Sequence, residues 1–592
     1  MPDVNLTIDG HKITMPAGTL IVEAAKTVGI EIPVFCYHHK LDPVGACRLC
    51  LVDFTPGPPR PQTACTTPVS EGMVVRTQSS MAVQARADIL EFELANHPLD
   101  CPVCDKGGEC PLQDFTFRHG YPTSRIDGPR LHFKKPIPLS DNIALDRERC
   151  VLCYRCTRYY DEVAWEQELT TDERGVKSFI TNQFDQPLKS IFSGNIIDLC
   201  PVGALTSRVW RFESRPWDMT HTATICSKCS VGCSVTQWQR RGQLVRITSH
   251  ENDDIDEGWI CDRGRFDYTD VNDPSRLRTP SIYGVRGSWA DAISAIAGGI
   301  KAKGAKLGIS LPQDITNEEA FLFRRLLDGP LKGAKVKMHG RTAIPAPVGA
   351  GRAQGAIPDQ AMRIKDIDDA GVIIVVASDL ENDVPIIDLR VKKAVSKRGA
   401  KLMVVYPEGV DLDRHPGTIH IRNAKGAAAA EVRKLMSHEL LKNPGGPVAI
   451  LFGERGALAA GVAGWDKLDG IDALLVWGPP PTAGIPRSVK FIAAWDHLPR
   501  EGYDRAVVLP ATTFAERQGS YTNVEGTVQF LRPPIAVQPP LKEGWEVLCE
   551  LGAALGVNLD YAGIFPIQRA IAVQPPDPTP PAAPVLIGPA HP

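Results

Sequence analysis

The sequence predicts a multidomain protein in which several small, cysteine-rich α+β domains precede one larger α/β domain. Fifteen of the sixteen cysteines lie between Cys36 and Cys261. From about residue 276, short β-branched strands alternate with helical stretches, as in a largely parallel α/β fold. A chain of 592 residues is also too long for one hydrophobic core.

Composition excludes several classes of protein. Apolar and charged fractions of 43% and 23% are those of a soluble globular protein, and a net charge of −3 argues against nucleic acid as a partner. The N-terminus has no basic start and no apolar signal core, and no apolar run approaches the ~20 residues that span a bilayer. We therefore expect membrane contact only through partner proteins, and cysteines that serve metal binding or catalysis in a reducing compartment.

The N-terminal domain, residues 1–80, begins with an alternating strand at residues 4–8, an Asp9-Gly10 turn and a second strand at His11–Met15. An apolar stripe over residues 20–28 then predicts a helix. Strand, strand, helix and a cysteine loop are the opening of a ferredoxin-type β-grasp domain.

Five further segments follow, each with its own pattern of cysteines, strands or prolines. They are a domain at 81–120 with a helix at about Met81–Asn96, a domain at 140–215, a domain at 219–275, an α/β domain at 276–563 and a proline-rich tail at 564–592. Strands of the α/β domain are predicted at Val372–Ala377, Leu402–Tyr406, Ala449–Phe452 and Leu474–Trp477. The tail is expected to be disordered or to lie over a neighbouring protein.

The first ligand group is Cys36, Cys47, Cys50 and Cys65. One tight C-x-x-C pair with a single cysteine on each side, on a β-grasp loop, favours a [2Fe–2S] cluster. A four-cysteine zinc site is the alternative, but such sites usually use two tight pairs.

The second group is His97, Cys101, Cys104 and Cys110. Three cysteines leave one corner of a [4Fe–4S] cubane open, and His97, four residues before the first of them, can fill it. Because imidazole is neutral and thiolate is negative, this cluster is expected to have a different potential from its neighbours. Zinc remains possible from the spacing alone.

The third and fourth groups each consist of three nearby cysteines and one distant cysteine. The C-x-x-C-x-x-C run with a remote Cys-Pro is the bacterial ferredoxin pattern for a [4Fe–4S] cluster, and the fourth group makes another four-thiolate site. The members are Cys150, Cys153, Cys156 and Cys200 in the third group, and Cys226, Cys229, Cys233 and Cys261 in the fourth.

Four other residues near these groups or outside them are also of interest. Lys106, Lys228 and Arg263 lie beside ligands in the sequence, where they either moderate the cluster charge or are solvated loop charges. Cys549 lies on an apolar helical stretch and is interpreted as a core thiol.

These motifs resemble the large iron–sulfur subunit of bacterial NADH:quinone oxidoreductase, the 75-kDa-type or G-type family of respiratory complex I. The segment HPLDCPVCDKGGECPLQD (97–114) is similar to that family's histidine-ligated cluster domain, and CVLCYRC (150–156) to its next cluster. The segment at 507–530 resembles the molybdopterin-oxidoreductase-like domain that follows, here in a shortened form.

The resemblance implies electron transfer from reduced flavin in a partner subunit, along one [2Fe–2S] and three [4Fe–4S] clusters, toward quinone. The first three groups would conduct, whereas the fourth is as readily structural as conducting. No catalytic residue and no molybdopterin are expected. The implied partners are the flavin- and NADH-binding subunit and other peripheral-arm subunits, at the cytoplasmic side of the bacterial plasma membrane.

Three alternatives stay open from the sequence. An NAD-linked formate dehydrogenase shares the N-terminal architecture, but no cysteine occurs between residues 262 and 548 and the C-terminal part is small for a molybdenum site. A hydrogenase complex is the second alternative, although no cysteine-rich catalytic domain follows the clusters. A zinc-binding scaffold is the third.

Overall fold

The computed structural model describes residues 2–301, 306–312, 314–338, 363–376, 378–423, 438–442, 446–452, 470–480, 485 and 488–571. The chain forms two compact units, which divide after Met219. Across the described ranges, no helix combines the length and apolar character needed to cross a membrane.

A five-stranded sheet with the order β2-β1-β5-β3-β4 forms the N-terminal domain. Its elements are strands β1 (Asp3–Ile8), β2 (His11–Pro16), β3 (Leu51–Thr55), β4 (Gln62–Thr63) and β5 (Val74–Arg76), with helix α1 (Ile21–Thr27) between β2 and β3. The predicted hairpin is confirmed: Ile8 pairs with His11, and Asp9 and Gly10 both have positive φ, as a tight hairpin turn requires.

Two helices, α2 (Ser80–Ala95) and α3 (Pro111–His119), frame the next cysteine loop. The side chain of Ser79 caps α2 by accepting a hydrogen bond from the N–H of Ala82 at 3.2 Å. The predicted helix at Met81–Asn96 is confirmed with a shift of one residue at each end.

The rest of the first unit combines two small sheets with two short helices. Strands β6 (Ile137–Pro138), β7 (Ile143–Leu145) and β10 (Leu205–Ser207) form one sheet, β8 (Leu169–Asp172) and β9 (Phe179–Asn182) form a hairpin, and the helices are α4 (Arg155–Tyr159) and α5 (Asn195–Leu199). Since β7 and β10 pair in antiparallel register, the two ends of this domain are held together.

The second unit begins with a three-stranded antiparallel sheet. It consists of β11 (Thr220–Ile225), β12 (Ser234–Arg240) and β13 (Gln243–Ser249), and it is followed by helix α6 (Asp262–Phe266).

A seven-stranded sheet with the order β15-β14-β24-β23-β22-β16-β17 lies at the centre of the α/β domain. Its strands are β14 (Ser281–Ile282), β15 (Val285–Arg286), β16 (Leu307–Leu311), β17 (Lys335–Met338), β22 (Ala473–Trp477), β23 (Phe491–Asp496) and β24 (Val507–Pro510). The strands from β24 to β17 pair in parallel, whereas β14 is antiparallel to β24. Trp477 and Trp495 stack at 4.3 Å between ring centroids in its core.

A four-stranded parallel sheet with the order β20-β19-β18-β21 is the second sheet of this domain. It contains β18 (Val372–Val376), β19 (Lys401–Val405), β20 (Ile419–Ile421) and β21 (Val448–Phe452). The remaining elements are the hairpin β25 (Gly519–Thr522) and β26 (Val528–Leu531) and the helices α7 (Trp289–Ile300), α8 (Asn317–Leu327), α9 (Leu380–Asp383), α10 (Pro385–Arg398), α11 (Glu439–Lys442), α12 (Gly544–Leu555) and α13 (Ile564–Ala570).

The four strands predicted in this domain are confirmed within one residue, apart from Ala377, which lies outside the described residues. The tail differs from the prediction at its start. Helix α13 occupies its first residues, and Ile567 is fully buried, so burial of apolar side chains extends the folded domain beyond residue 563. Residues 572–592 lie outside the described ranges.

A buried ion pair joins the start of the α/β domain to its C-terminal part. Arg276 donates to Glu516 through Nη1 at 3.0 Å and Nη2 at 2.6 Å, and the side chains are only 3% and 4% exposed. We expect Arg276→Met to lower the unfolding free energy of this unit by about 3–5 kcal/mol, because it leaves a buried carboxylate without its partner. Urea unfolding followed by tryptophan fluorescence measures the loss. Arg324→Met, which breaks an exposed pair with Asp328, is the control and should change little; equal midpoints for both variants would contradict the assignment.

Candidate metal centres

The first ligand group lies in the loops that flank β3 and β4. Cys36, Cys47, Cys50 and Cys65 are all buried. The Cys36 thiol contacts those of Cys47 and Cys65, and the latter also contacts Cys50. Hydrogen bonds from Cys47 and Cys65 lower the pKa of Cys36 to about 2. The pKa of Cys65 is raised by its hydrogen bonds to Cys36 and Cys50. These three contacts link the four buried sulfurs into one cluster of thiols.

Backbone N–H groups also point at these sulfurs. The N–H of Phe35 donates to Cys47 Sγ at 3.4 Å, and the backbone of Ala46 donates to Cys36. Such donors stabilise negative sulfur. The donor set and its N–H cradle fit a [2Fe–2S] cluster, held by these four thiolates.

The second group lies in the loop between α2 and α3. Cys104 and Cys110 are buried, Cys101 is exposed, and His97 is half-buried. The charge of Cys101 acts on Cys104, and that of Cys104 on Cys110, which places the three sulfurs close together. The fold therefore brings these three cysteines, which are close in the sequence, close together in space as well.

His97 and Cys104 share Arg149 as a charged neighbour. Burial and then the charge of Arg149 lower the pKa of His97 to about 4, and the same guanidinium acts on Cys104. A pKa of about 4 leaves the imidazole neutral at pH 7, with a nitrogen lone pair free to bind a metal. The set fits a [4Fe–4S] cluster with one imidazole ligand.

The third group surrounds the start of α4. Cys153, Cys156 and Cys200 are buried and Cys150 is partly buried, and the charges of Cys153, Cys150 and Cys200 all act on Cys156. Burial raises the pKa of Cys153 to about 12. These four thiols, three of them buried and one partly buried, therefore need nearby cations to lose their protons, which fits a [4Fe–4S] cluster.

Two residues with left-handed backbone shape this loop. Leu152 and Tyr154, on either side of Cys153, have φ values of 45° and 59°. A side chain larger than glycine in this region costs on the order of 1–3 kcal/mol, and surrounding packing must hold it there. The left-handed conformation on both sides of Cys153 sets the backbone path of this loop.

The fourth group, in the second unit, connects β11, β12 and α6. The N–H of Cys226 donates to the carbonyl of Cys233 at 2.8 Å, which closes the loop that carries Cys229. A Cβ on Gly264 would lie 3.2 Å from the sulfur of Cys226 and 3.8 Å from that of Cys261, so both sulfurs face one point. Burial raises the pKa of Cys226 to about 11, and the donor set again fits a [4Fe–4S] cluster.

The basic residues beside the ligands lie close to sulfur. The charge of Lys106 acts on Cys110, and that of Lys228 acts on Cys226. Arg263 faces the fourth group and donates to the carbonyl of Asn382 at 3.3 Å. Of the two interpretations, moderation of cluster charge gains support from this proximity.

Cys549 lies apart from all four groups, on α12. It is half-buried and packs against the core of the seven-stranded sheet, and burial raises its pKa to about 11. This position agrees with a core thiol.

Two features of the site were not found by sequence reasoning. The segment 200–203 contacts both the second and the third groups: Pro201 O lies 3.9 Å from Cys110 Sγ, and Gly203 faces Cys104 Sγ. Arg155 lies between the first and third groups. Its place between Cys153 and Cys156 in the sequence could have indicated that Arg155 lies near a ligand group. Nothing in the sequence near Gly203 indicates contact with Cys104.

Family profiles match the whole series of domains in the predicted order. They are the 2Fe-2S iron-sulfur cluster binding domain over residues 2–80, the NADH-ubiquinone oxidoreductase-G iron-sulfur binding region over 86–125, the ferredoxin-like domain of NADH-quinone oxidoreductase subunit 3 over 140–206, the molybdopterin oxidoreductase Fe4S4 domain over 219–273, and molybdopterin oxidoreductase over 276–482 and 497–554. Together with the four cysteine groups, these matches define a multidomain iron–sulfur protein of the oxidoreductase class.

Known relatives identify the family. The chain is 32% identical to the G subunit of NADH-quinone oxidoreductase from Streptomyces coelicolor, over 94% of this chain and 80% of that relative. It is 33% identical to NADH-quinone oxidoreductase subunit 3 of Thermus thermophilus, over 96% of this chain and 85% of that relative. The chain belongs to this family of iron–sulfur subunits of NADH-quinone oxidoreductase.

Among solved structures, a chain of an NAD+-reducing [NiFe]-hydrogenase in the H2-reduced state is 28% identical, over 36% of this chain and 90% of that chain. Its TM-score of 0.32 is too low to support an argument about fold or function.

Proposed function

We propose that this electron-transfer subunit of NADH-quinone oxidoreductase receives electrons from the reduced flavin of a partner subunit and relays them toward quinone. One [2Fe–2S] cluster in the first group and a [4Fe–4S] cluster in each of the other three would carry the electrons. The proposal is supported by the interactions between neighbouring cysteine thiols within each predicted group. When bound, iron–sulfur clusters supply one-electron redox chemistry at potentials set by ligands, charge and solvent exposure.

The chain's own residues perform three tasks in this function. The buried thiols and the imidazole of His97 hold the metal, and N–H donors such as that of Phe35 stabilise negative sulfur. Burial of most of the ligand cysteines limits the access of water, and Cys101 is the exposed member. Basic residues, among them Arg149 and Arg263, lie next to sulfur, where they offset negative charge.

The partners follow from this assignment. We infer that a flavin- and NADH-binding subunit and other peripheral-arm subunits surround this chain, at the cytoplasmic side of the bacterial plasma membrane, with membrane contact through those subunits. No molybdopterin is proposed for the α/β domain.

The test uses the full chain assembled with its flavoprotein partner. NADH is added anaerobically, and low-temperature EPR and visible absorbance are followed. We expect NADH to bleach the visible absorbance and to produce cluster signals. If NADH reduces the flavin while dithionite alone reduces the clusters, the proposed relay is wrong.

Replacing His97 with cysteine tests the proposed nitrogen ligand. A cluster should remain in the second group, but its reduction potential should fall by on the order of 100 mV, because a negative thiolate replaces a neutral imidazole. Potentiometric EPR on the assembled complex measures the shift. His11→Cys, on the exposed side of β2, is the control. If no cluster changes its potential in the His97 variant, His97 is not a ligand.

A further inference from the structure

Arg155 is the first residue of α4 and lies between two ligands of the third group in the sequence. Its Nη1 donates to the carbonyl of Leu199 at 3.3 Å, and its Nη2 donates to the carbonyl of Tyr37 at 2.5 Å. Both acceptors are buried residues of the first unit. One guanidinium thus ties together two loops that are distant in sequence.

These two loops carry ligands of different groups. Tyr37 directly follows Cys36 of the first group, and Leu199 directly precedes Cys200 of the third. The charges of Cys153, Cys200, Cys36 and Cys47 act on Arg155. The guanidinium therefore lies near sulfur of both groups.

The neighbouring arginines do not share this arrangement. Arg158, almost one helical turn further, donates to the carbonyls of Cys36 and Asp42, both in the loop of the first group. Arg149 donates to Asp100 at 2.9 Å and faces Cys104 of the second group. Among these three arginines, Arg155 is the one that bridges the first and third groups.

A guanidinium in this place is costly unless negative charge accompanies it. Within the described part of the chain, its Nε is buried without a hydrogen-bond partner. Arginine cannot release its proton to escape the cost. Each electron added to a neighbouring cluster brings one negative charge, and a fixed cation stabilises that reduced form.

We infer that Arg155 is a positioning residue that holds the first and third groups against each other and raises the reduction potentials of both. The inference rests on the proposed function, since it needs clusters in both groups. Electron transfer between the two groups requires similar reduction potentials, and the charge of Arg155 would keep the two potentials close.

The experiment is potentiometric EPR on the assembled complex with Arg155→Gln, Arg155→Lys and Arg158→Gln. In Arg155→Gln, the equilibrium constants for reducing the first and third clusters should each fall at least tenfold, which is about 59 mV for one electron. Arg155→Lys retains the charge and should restore most of both potentials. Arg158→Gln should shift the first cluster alone, and the second and fourth clusters serve as internal references.

Several results would overturn the inference. Unchanged potentials in Arg155→Gln would do so, and so would equal shifts in the lysine and glutamine variants, which would indicate a structural role only. A glutamine variant that loads neither cluster would likewise show that Arg155 acts only in folding. If the unmodified complex showed no cluster signals at all, the proposed function would have failed instead.

Discussion

Replacing Cys153 with alanine is expected to remove the third cluster and about four of the roughly fourteen iron atoms per chain. Cys153 is buried near Cys150 and Cys200, and Leu152 and Tyr154 on either side of it have left-handed backbone. Alanine offers no sulfur, so the cluster would lose one of its four ligands. NADH-driven quinone reduction by the assembled complex should fall to background.

Iron analysis and EPR on the purified variant measure this loss. Cys549→Ala is the matched control, because the same substitution is made at a cysteine that packs against the α/β core, outside the four groups. It should retain all the iron and every EPR signal. A Cys153 variant with full iron content and an unchanged spectrum would show that the third group is not a cluster site.

Replacing Gly203 with alanine is expected to abolish the second cluster, although this residue is not a ligand. A Cβ at this buried position would overlap Cys104 Sγ, and it would lie 3.4 Å from Lys106 Cβ and 3.6 Å from Arg149 Cδ. The new methyl group would force the Cys104 sulfur to move, and a displaced sulfur could no longer bind iron at its place in the second group. We therefore expect about four irons to be lost, with the signal of the second cluster.

The control for this variant is Gly298→Ala, at an exposed helical position where a Cβ meets no atom within 4 Å. Alanine there should stabilise α7 slightly, by about 0.5–1 kcal/mol, and leave the iron content unchanged. A Gly203 variant that keeps the second signal at its original potential would contradict the close contact with Cys104.

The four ligand groups are predicted from local information in the sequence. Three members of each of the last three groups lie within a short stretch of sequence, such as Cys150–Cys156, so spacing alone restricts the kind of metal site. The strand observed at Lys401–Val405 and helix α2 were each predicted within one residue, because both are indicated by sequence patterns that extend over a few residues.

The contacts between groups could not be predicted, because they depend on tertiary packing. Nothing near Gly203 in the sequence indicates that it meets Cys104, and nothing near Arg155 indicates Tyr37 as its acceptor. Helix α13 was missed because the prolines that follow it dominate the composition of the tail, whereas burial of Ile567 decides its fold.

The most direct test of the central claim is metal and acid-labile sulfide analysis of the anaerobically purified full chain. The four groups predict about fourteen irons, a similar amount of sulfide and a brown sample. A colourless protein with about four zinc ions and no sulfide would contradict the account, since zinc neither absorbs visible light nor carries electrons.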